Sequence, residues 1–403
     1  MILMYKTKDQ EVHISSNCVS NQRIVNMESF LSASRVALVD NFVKYKRIRI
    51  VLGNETCDLD SAVCTLVQGY SEYLDATKSN EKDSIIIPLM NILENEYRTK
   101  TEVVYFLERF DIFSSGLIFR NQIDLKALKE NAGKHLELIL VDHHNLSEED
   151  VFLTDSVIEV IDHRPQDARW PWPGRKVRLE TVGSCATLVA QNFIRKHPEM
   201  LDGLLSRLLR GPILVDTSNF SKEADRATST DVEVTEALER IGCLEIDRSE
   251  EFDSILKAKA DISRLTAQDL LIKDLKVAAG VPIVGMPILV ENFLKLPNAD
   301  AALRSFAESR NTAIVVLLGM ELKQQKLSRD VAIFSLPGDE AKEKMVEALV
   351  SSTQPPLELT FTREIHGERD KYSLSHYTQG NLRATRKQVL PIVRDTMLSH
   401  CGC

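Results

Sequence analysis

Aspartates follow four apolar runs of this chain, and two of them carry histidines beside them. In "IRIVLGNETCDLDSAVC" (48–64) an aliphatic run ends at Gly53-Asn54, and Asp58 and Asp60 follow just ahead of a helix-like pattern. "LILVDHHN" ends in Asp142-His143-His144, "IEVIDHRP" in Asp162-His163-Arg164, and "PILVDTSN" in Asp216. A single aspartate at such a point ordinarily caps the next helix through a side-chain oxygen. Repetition at four runs, two of them as Asp-His-His/Arg, asks for more than caps. If the runs are parallel neighbouring strands, their carboxyl ends share one edge of a sheet, which is where open α/β sheets bind ligands. Five aspartates and three histidines then meet in one crevice. Like charges at that density either protonate or are neutralised by cations. Carboxylate and imidazole donors suit Mn²⁺, Mg²⁺ or Co²⁺, and the lack of sulfur ligands argues against a structural zinc. Cys57 and Cys64, which flank the first motif, read as packing residues. Asp142 is placed to bridge two ions about 3.5–4 Å apart, a pair that clamps the attacking and leaving oxygens of a phosphoryl transfer.

The elements that must position these groups follow from the pattern of apolar residues. Strand-like runs at 47–52, 84–89, 116–119, 136–141, 157–161 and 212–215 alternate with helical patterns at 59–75, 101–110, 183–196 and 199–209. Such alternation predicts an α/β fold with parallel strands and crossover helices. "RWPWPG" (169–174) reads as a loop whose tryptophans wedge onto the core. The charged stretch from 226 to 248 reads as a linker. Beyond it, residues 249–403 read as a smaller α/β or α+β domain, and residues 27–225 form the first one. Residues 1–26 read as a poorly ordered extension.

Composition narrows the function. The chain has 403 residues, enough for about two domains, and a 43% hydrophobic content fills their cores. A net charge of −9 argues against a nucleic-acid binder or a membrane-surface protein, which need a basic field. No apolar run approaches the ~20 residues of a membrane span. Seven cysteines without paired C-x-x-C spacing fit a reducing compartment. A cytoplasmic location is expected, with a mitochondrial presequence the weaker alternative.

Taken in order, "GNETCDLDS", "VDHHN", "IDHRP" and "VDTSN" resemble the DHH phosphoesterase superfamily, and within it the prune-type exopolyphosphatases. Those chains carry DHR in place of a second DHH. "VGSCATLVAQ" (182–191), "FDSILKAKADISRLTAQDLLIKDLK" (252–276) and "QGNLRATRKQVLP" (379–391) extend the resemblance from about 27 to 398. It implies an N-terminal DHH domain with a mostly parallel sheet and flanking helices. A smaller C-terminal DHH-associated domain then closes over a cleft. It also implies two divalent cations, Mn²⁺ or Mg²⁺ with Co²⁺ a further option, held by Asp58, Asp60, Asp142, His163 and Asp216. His143, His144 and Arg164 would orient or protonate the substrate. Lys276, Arg386 and Lys387 would hold terminal phosphates, with Thr385 standing where relatives have Ser.

Two departures stand out against family II pyrophosphatases. Asn54 occupies the place of a ligating histidine, and Arg164 that of a substrate-contacting histidine. A lost imidazole weakens one metal position, and a guanidinium favours a polyanion. The resemblance therefore implies hydrolysis of tri- and tetrapolyphosphate. Two rival readings are a 3′,5′-cyclic-nucleotide phosphodiesterase, with Trp170 and Trp172 as a purine slot, and a largely non-catalytic interaction protein with a partner such as a nucleoside diphosphate kinase.

Overall fold

The computed structural model describes residues 3–7, 10–14, 26–131, 134–323, 326–338, 341–367 and 371–400. Two compact units divide the chain, Met1–Lys259 and Ala260–Cys403. Within the expected 1–26 extension, β1 (Leu3–Thr7) and β2 (Gln10–Ile14) pair antiparallel, Asn26 caps the next helix, and the other residues lie outside the described ones.

After α1 (Met27–Val39), the first unit is built on six strands. These are β3 (Arg47–Leu52), β4 (Ser84–Met90), β5 (Ile118–Phe119), β6 (His135–Val141), β7 (Val157–Asp162) and β8 (Lys176–Leu179). Their order is β5-β4-β3-β6-β7-β8, and each neighbouring pair is parallel. The chain enters at β3, winds outward to β5, crosses back to β6 and winds out the other way. The reversal makes β3/β6 the switch point, where a crevice opens beyond the strand ends. Residues alternate between two cores because side chains on a strand have a period of two. Val51, Ile139 and Ile161 face one core; Ile50, Leu52, Leu140 and Val160 face the other.

The helices of this unit are α2 (Leu59–Lys78), α3 (Glu94–Tyr97), α4 (Thr101–Glu108), α5 (Leu125–Glu130), α6 (Cys185–Lys196), α7 (Gly203–Asp216), α8 (Ser229–Gly242) and α9 (Arg248–Ala260). Helix α2 is buried along most of its length, on both sides of the Asp60 turn.

Two expectations are corrected here. "PILV" (212–215) is not a strand: it is the last turn of α7, with Pro212 inside the helix. A four-residue apolar run reads alike as buried strand or buried helix, and the burial of Leu205, Leu208 and Leu209 on the preceding turns decides for the helix. Asp216 therefore reaches the site from a helix end. The stretch 226–248 is not a linker, because α8 packs within the first unit. Its charges serve an internal ion network. Buried Arg210 on α7 donates to Glu239 at 3.0 Å and to Glu251 on α9 at 2.8 Å.

The second unit holds α10 (Ala267–Lys273), β9 (Leu275–Ala278), β10 (Val281–Met286), α11 (Val290–Phe293), α12 (Ala299–Ser309), β11 (Ile314–Lys323), β12 (Lys326–Ser335), α13 (Ala341–Val350), β13 (Leu359–His366), β14 (Ser373–Gln379) and α14 (Arg386–His400). Its sheet runs β13-β14-β12-β11-β10-β9, parallel at β10/β11 and antiparallel between the other neighbours, with an apolar core on each face. Among the described residues, no helix is long and apolar enough to cross a membrane.

Candidate metal centre

At the switch point, each side chain is aimed by a local device. Asp58 is the N-cap of α2 and accepts from Ser61 N at 3.2 Å. Asp60, in the first turn, accepts from Cys185 N at 2.7 Å and Ala186 N at 2.8 Å, the opening amides of α6. A helix N-terminus favours that negative charge. Asp142 follows β6 in a left-handed conformation (φ 59°), while its amide still bonds Ile161 O at 2.9 Å. That turn points its carboxylate into the crevice. His163 follows β7 and donates from Nδ1 to Val182 O at 3.0 Å, which leaves Nε2 3.3 Å from Asp142 Oδ1. A carbonyl on the far nitrogen is the usual orienting partner of a metal-ligating histidine.

Donor atoms of Asp60, Asp142 and His163 all lie within 4.8 Å of one another. A pocket of about 220 Å³ opens beside them, lined also by Asp58, Arg164, Gly183, Asp216 and Arg226. Burial and the neighbouring Asp60 charge raise the Asp58 carboxyl, and raise that of Asp216 well above its ordinary value. The same two causes push Asp142 up to about 7. On His163, burial works downward, but the Asp142 hydrogen bond and the Asp60 charge carry it up to about 9. These are the marks of crowded negative charge with too little compensation. Oxygen and imidazole donors at this spacing fit hard divalent cations such as Mn²⁺ or Mg²⁺.

The five expected ligands thus line one pocket. Arg164 is brought to the same place, donating from Nη1 to Asp142 Oδ1 and Asp162 Oδ1, both at 2.9 Å. The two histidines that follow Asp142 lie behind. His143 donates from Nδ1 to Val141 O at 3.0 Å, and burial lowers its pKa. His144 donates from Nδ1 to Asp162 at 2.5 Å and accepts the Asp167 amide at Nε2 at 2.9 Å, so both ring nitrogens are occupied. Trp172, stacked on Trp170 with ring centroids 5.4 Å apart, is buried and donates to His144 O at 2.8 Å. The tryptophan loop is a wedge. In the second unit, Lys276 lies exposed on β9. Arg386 opens α14 and pairs with Asp274 at 2.6 Å, and the exposed Lys387 follows it.

Sequence reasoning missed Asp231 and Arg226. Asp231 is fully buried and accepts from Gly183 N at 2.8 Å, Thr187 Oγ1 at 2.6 Å and Thr228 N at 2.8 Å. It thereby ties the start of α8 to the turn that serves His163 and Asp60. The signal was present as Thr228-x-x-Asp231, a capping-box spacing.

A doubly wound parallel sheet with Asp-x-Asp, DHH and DHR motifs at its switch point defines a DHH phosphoesterase. Residues 253–396 match the DHHA2 domain family. The chain is 36% identical over 379 residues to Exopolyphosphatase PRUNE1 of Homo sapiens, covering 93% of this chain and 80% of that protein. It is 37% identical over 379 residues to the Bos taurus protein of the same name, with the same coverage. Over 224 residues it is 27% identical to the Manganese-dependent inorganic pyrophosphatase of Methanothrix thermoacetophila, covering 54% of this chain and 67% of that one. The chain belongs to the prune-type exopolyphosphatases.

Proposed function

We propose that the protein is a metal-dependent phosphoanhydride hydrolase that releases terminal phosphate from tri- and tetrapolyphosphate with two divalent cations. The observation that carries the reading is the pocket itself, in which four carboxylates and His163 meet two arginines. An acidic cluster of this kind is costly to bury without cations, and the arginines have no place in a pure metal store. Asp58, Asp60, Asp142, His163 and Asp216 would hold the cations, with Asp142 shared. When bound, the cations polarise a phosphoryl oxygen and lower the pKa of water.

The chain's own residues do the rest. Val182 O holds one proton of His163 on Nδ1, so Nε2, which in the metal-free protein carries a proton toward Asp142, would offer its lone pair once a cation displaces that proton. Arg164 balances charge building on phosphoryl oxygens, as fixed donors do in phosphoryl transfer. Lys276, Arg386 and Lys387 bind the terminal phosphates in this reading. His144, with both nitrogens committed, positions Asp162; His143, outside the pocket lining and held at Nδ1 by Val141 O, would have only Nε2 to offer a substrate oxygen. A cyclic nucleotide fits less well. Among the described residues no aromatic side chain lines the pocket to stack a purine, and the tryptophans are taken up in packing.

The test is phosphate release from pyrophosphate, tripolyphosphate, tetrapolyphosphate, long-chain polyphosphate and cAMP, each with Mg²⁺ and Mn²⁺. Turnover concentrated on the two short polyphosphates supports the reading. Turnover on cAMP alone refutes it.

A further inference from the structure

We propose that Arg226 is a substrate-binding residue of the metal pocket, donating its guanidinium to a phosphoryl group of the phosphoanhydride. The inference rests on the hydrolase reading above and adds a residue outside the four motifs.

The two arginines of the pocket are in different states. Arg164 spends Nη1 on Asp142 and Asp162, so part of its fork holds the carboxylates together. Arg226 lines the same pocket as a solvent-exposed side chain, and no hydrogen bond or ion pair joins its guanidinium to a described residue. Its donors are therefore not spent on the four carboxylates of the pocket. An arginine left with its donors free is a ready phosphate ligand, because the planar fork matches two phosphoryl oxygens.

Arg226 is also placed by a fixed backbone. Asp231 accepts from Thr228 N, two residues on, and from Gly183 N, both at 2.8 Å. Gly183 is packed so closely that a Cβ there would lie 3.0 Å from Arg226 O and 2.6 Å from Thr217 Cγ2. The same turn supplies Val182 O to His163 and the Cys185 and Ala186 amides to Asp60. The segment carrying Arg226 is therefore locked to the turn that orients the candidate ligands. With its backbone so anchored, the exposed side chain of Arg226 keeps its guanidinium within reach of a phosphate bound beside the cations.

Arg226→Gln and Arg226→Lys test this in the full chain. Calorimetry would measure binding of Mn²⁺ to the metal-free protein, then of inorganic phosphate and imidodiphosphate to the Mn²⁺-loaded protein. Steady-state kinetics would use tripolyphosphate. The expected result for Arg226→Gln is about ten- to a hundredfold weaker imidodiphosphate binding, with a matching rise in KM. Mn²⁺ affinity should stay unchanged and kcat within about twofold. Arg226→Lys should recover part of the loss, since charge survives without the fork. Unchanged anion binding combined with tighter Mn²⁺ binding would overturn the proposal and reduce Arg226 to a neutralising cation. If the wild type binds imidodiphosphate through Arg226 but turns over no phosphoanhydride, the hydrolase reading fails while this one stands. If the wild type binds neither anion, this one fails too.

Discussion

Asn54 donates through Nδ2 to the Asp142 carboxylate, and again to the Asp142 carbonyl at 3.3 Å. Its Oδ1 faces the other way, accepting from Thr56 Oγ1 at 2.6 Å and Thr56 N at 2.9 Å. The amide is thus held with its donor side toward the cluster, an orientation in which it cannot act as a ligand. Asn54→His is expected to supply a lone pair there and to raise Mn²⁺ affinity by about tenfold or more, read by titration calorimetry. Unchanged affinity would mean that position 54 does not face a cation.

Asp142 is the carboxylate on which the cluster converges. Asp142→Ala is expected to lower phosphate release from tripolyphosphate by at least about a thousandfold, while circular dichroism stays native. Full turnover in this variant would remove Asp142 from the mechanism.

Asp231 touches none of the five candidate ligands, yet it ties Gly183, Thr187 and Thr228 together. Asp231→Asn exchanges one carboxylate oxygen for a donor facing those donors. Mn²⁺ binding should weaken about tenfold, a typical cost for a group that orients ligands. An effect on thermal stability alone, with metal affinity intact, would make the residue a helix cap and nothing more.

Stability of the metal-free protein should fall as pH rises from about 5 to about 9. Asp142 and His163 both hold protons more tightly in the folded state, up to about 7 and about 9. Burial and mutual repulsion shift Asp58 and Asp216 the same way. Each group binds more protons folded than unfolded within its window. Each therefore contributes stabilisation that is lost as pH climbs through the folded value. Melting curves with and without Mn²⁺ check this. Added cation should remove most of the slope, and an upward slope without metal would contradict the charge crowding.

The chain's own pattern determined the parallel strands and three of their endings. Leu52, Val141 and Ile161 close apolar runs that fit central strands, and a polar residue after such a run must fall at the sheet edge. Local chemistry also made Asp58 a helix cap while leaving Asp60 for another task. Asp216 was legible as a neighbour of the other motif aspartates, with which it lines one pocket, but not as the end of a helix, because a short apolar run carries no period that separates strand from helix. The placement of Arg226 and Asp231 was decided only by tertiary structure. Their segment looks like a solvated linker in sequence: the capping-box spacing marks a helix start at Thr228, but nothing local points Asp231 to Gly183 and Thr187 or Arg226 to the pocket. Packing of α8 onto α7 buries Asp231, brings Thr228 and Gly183 to the same carboxylate, and sets Arg226 at the mouth of the pocket. Hydrogen bonds between residues 48 positions apart leave no local trace, because nothing in the intervening chain has to change to accommodate them.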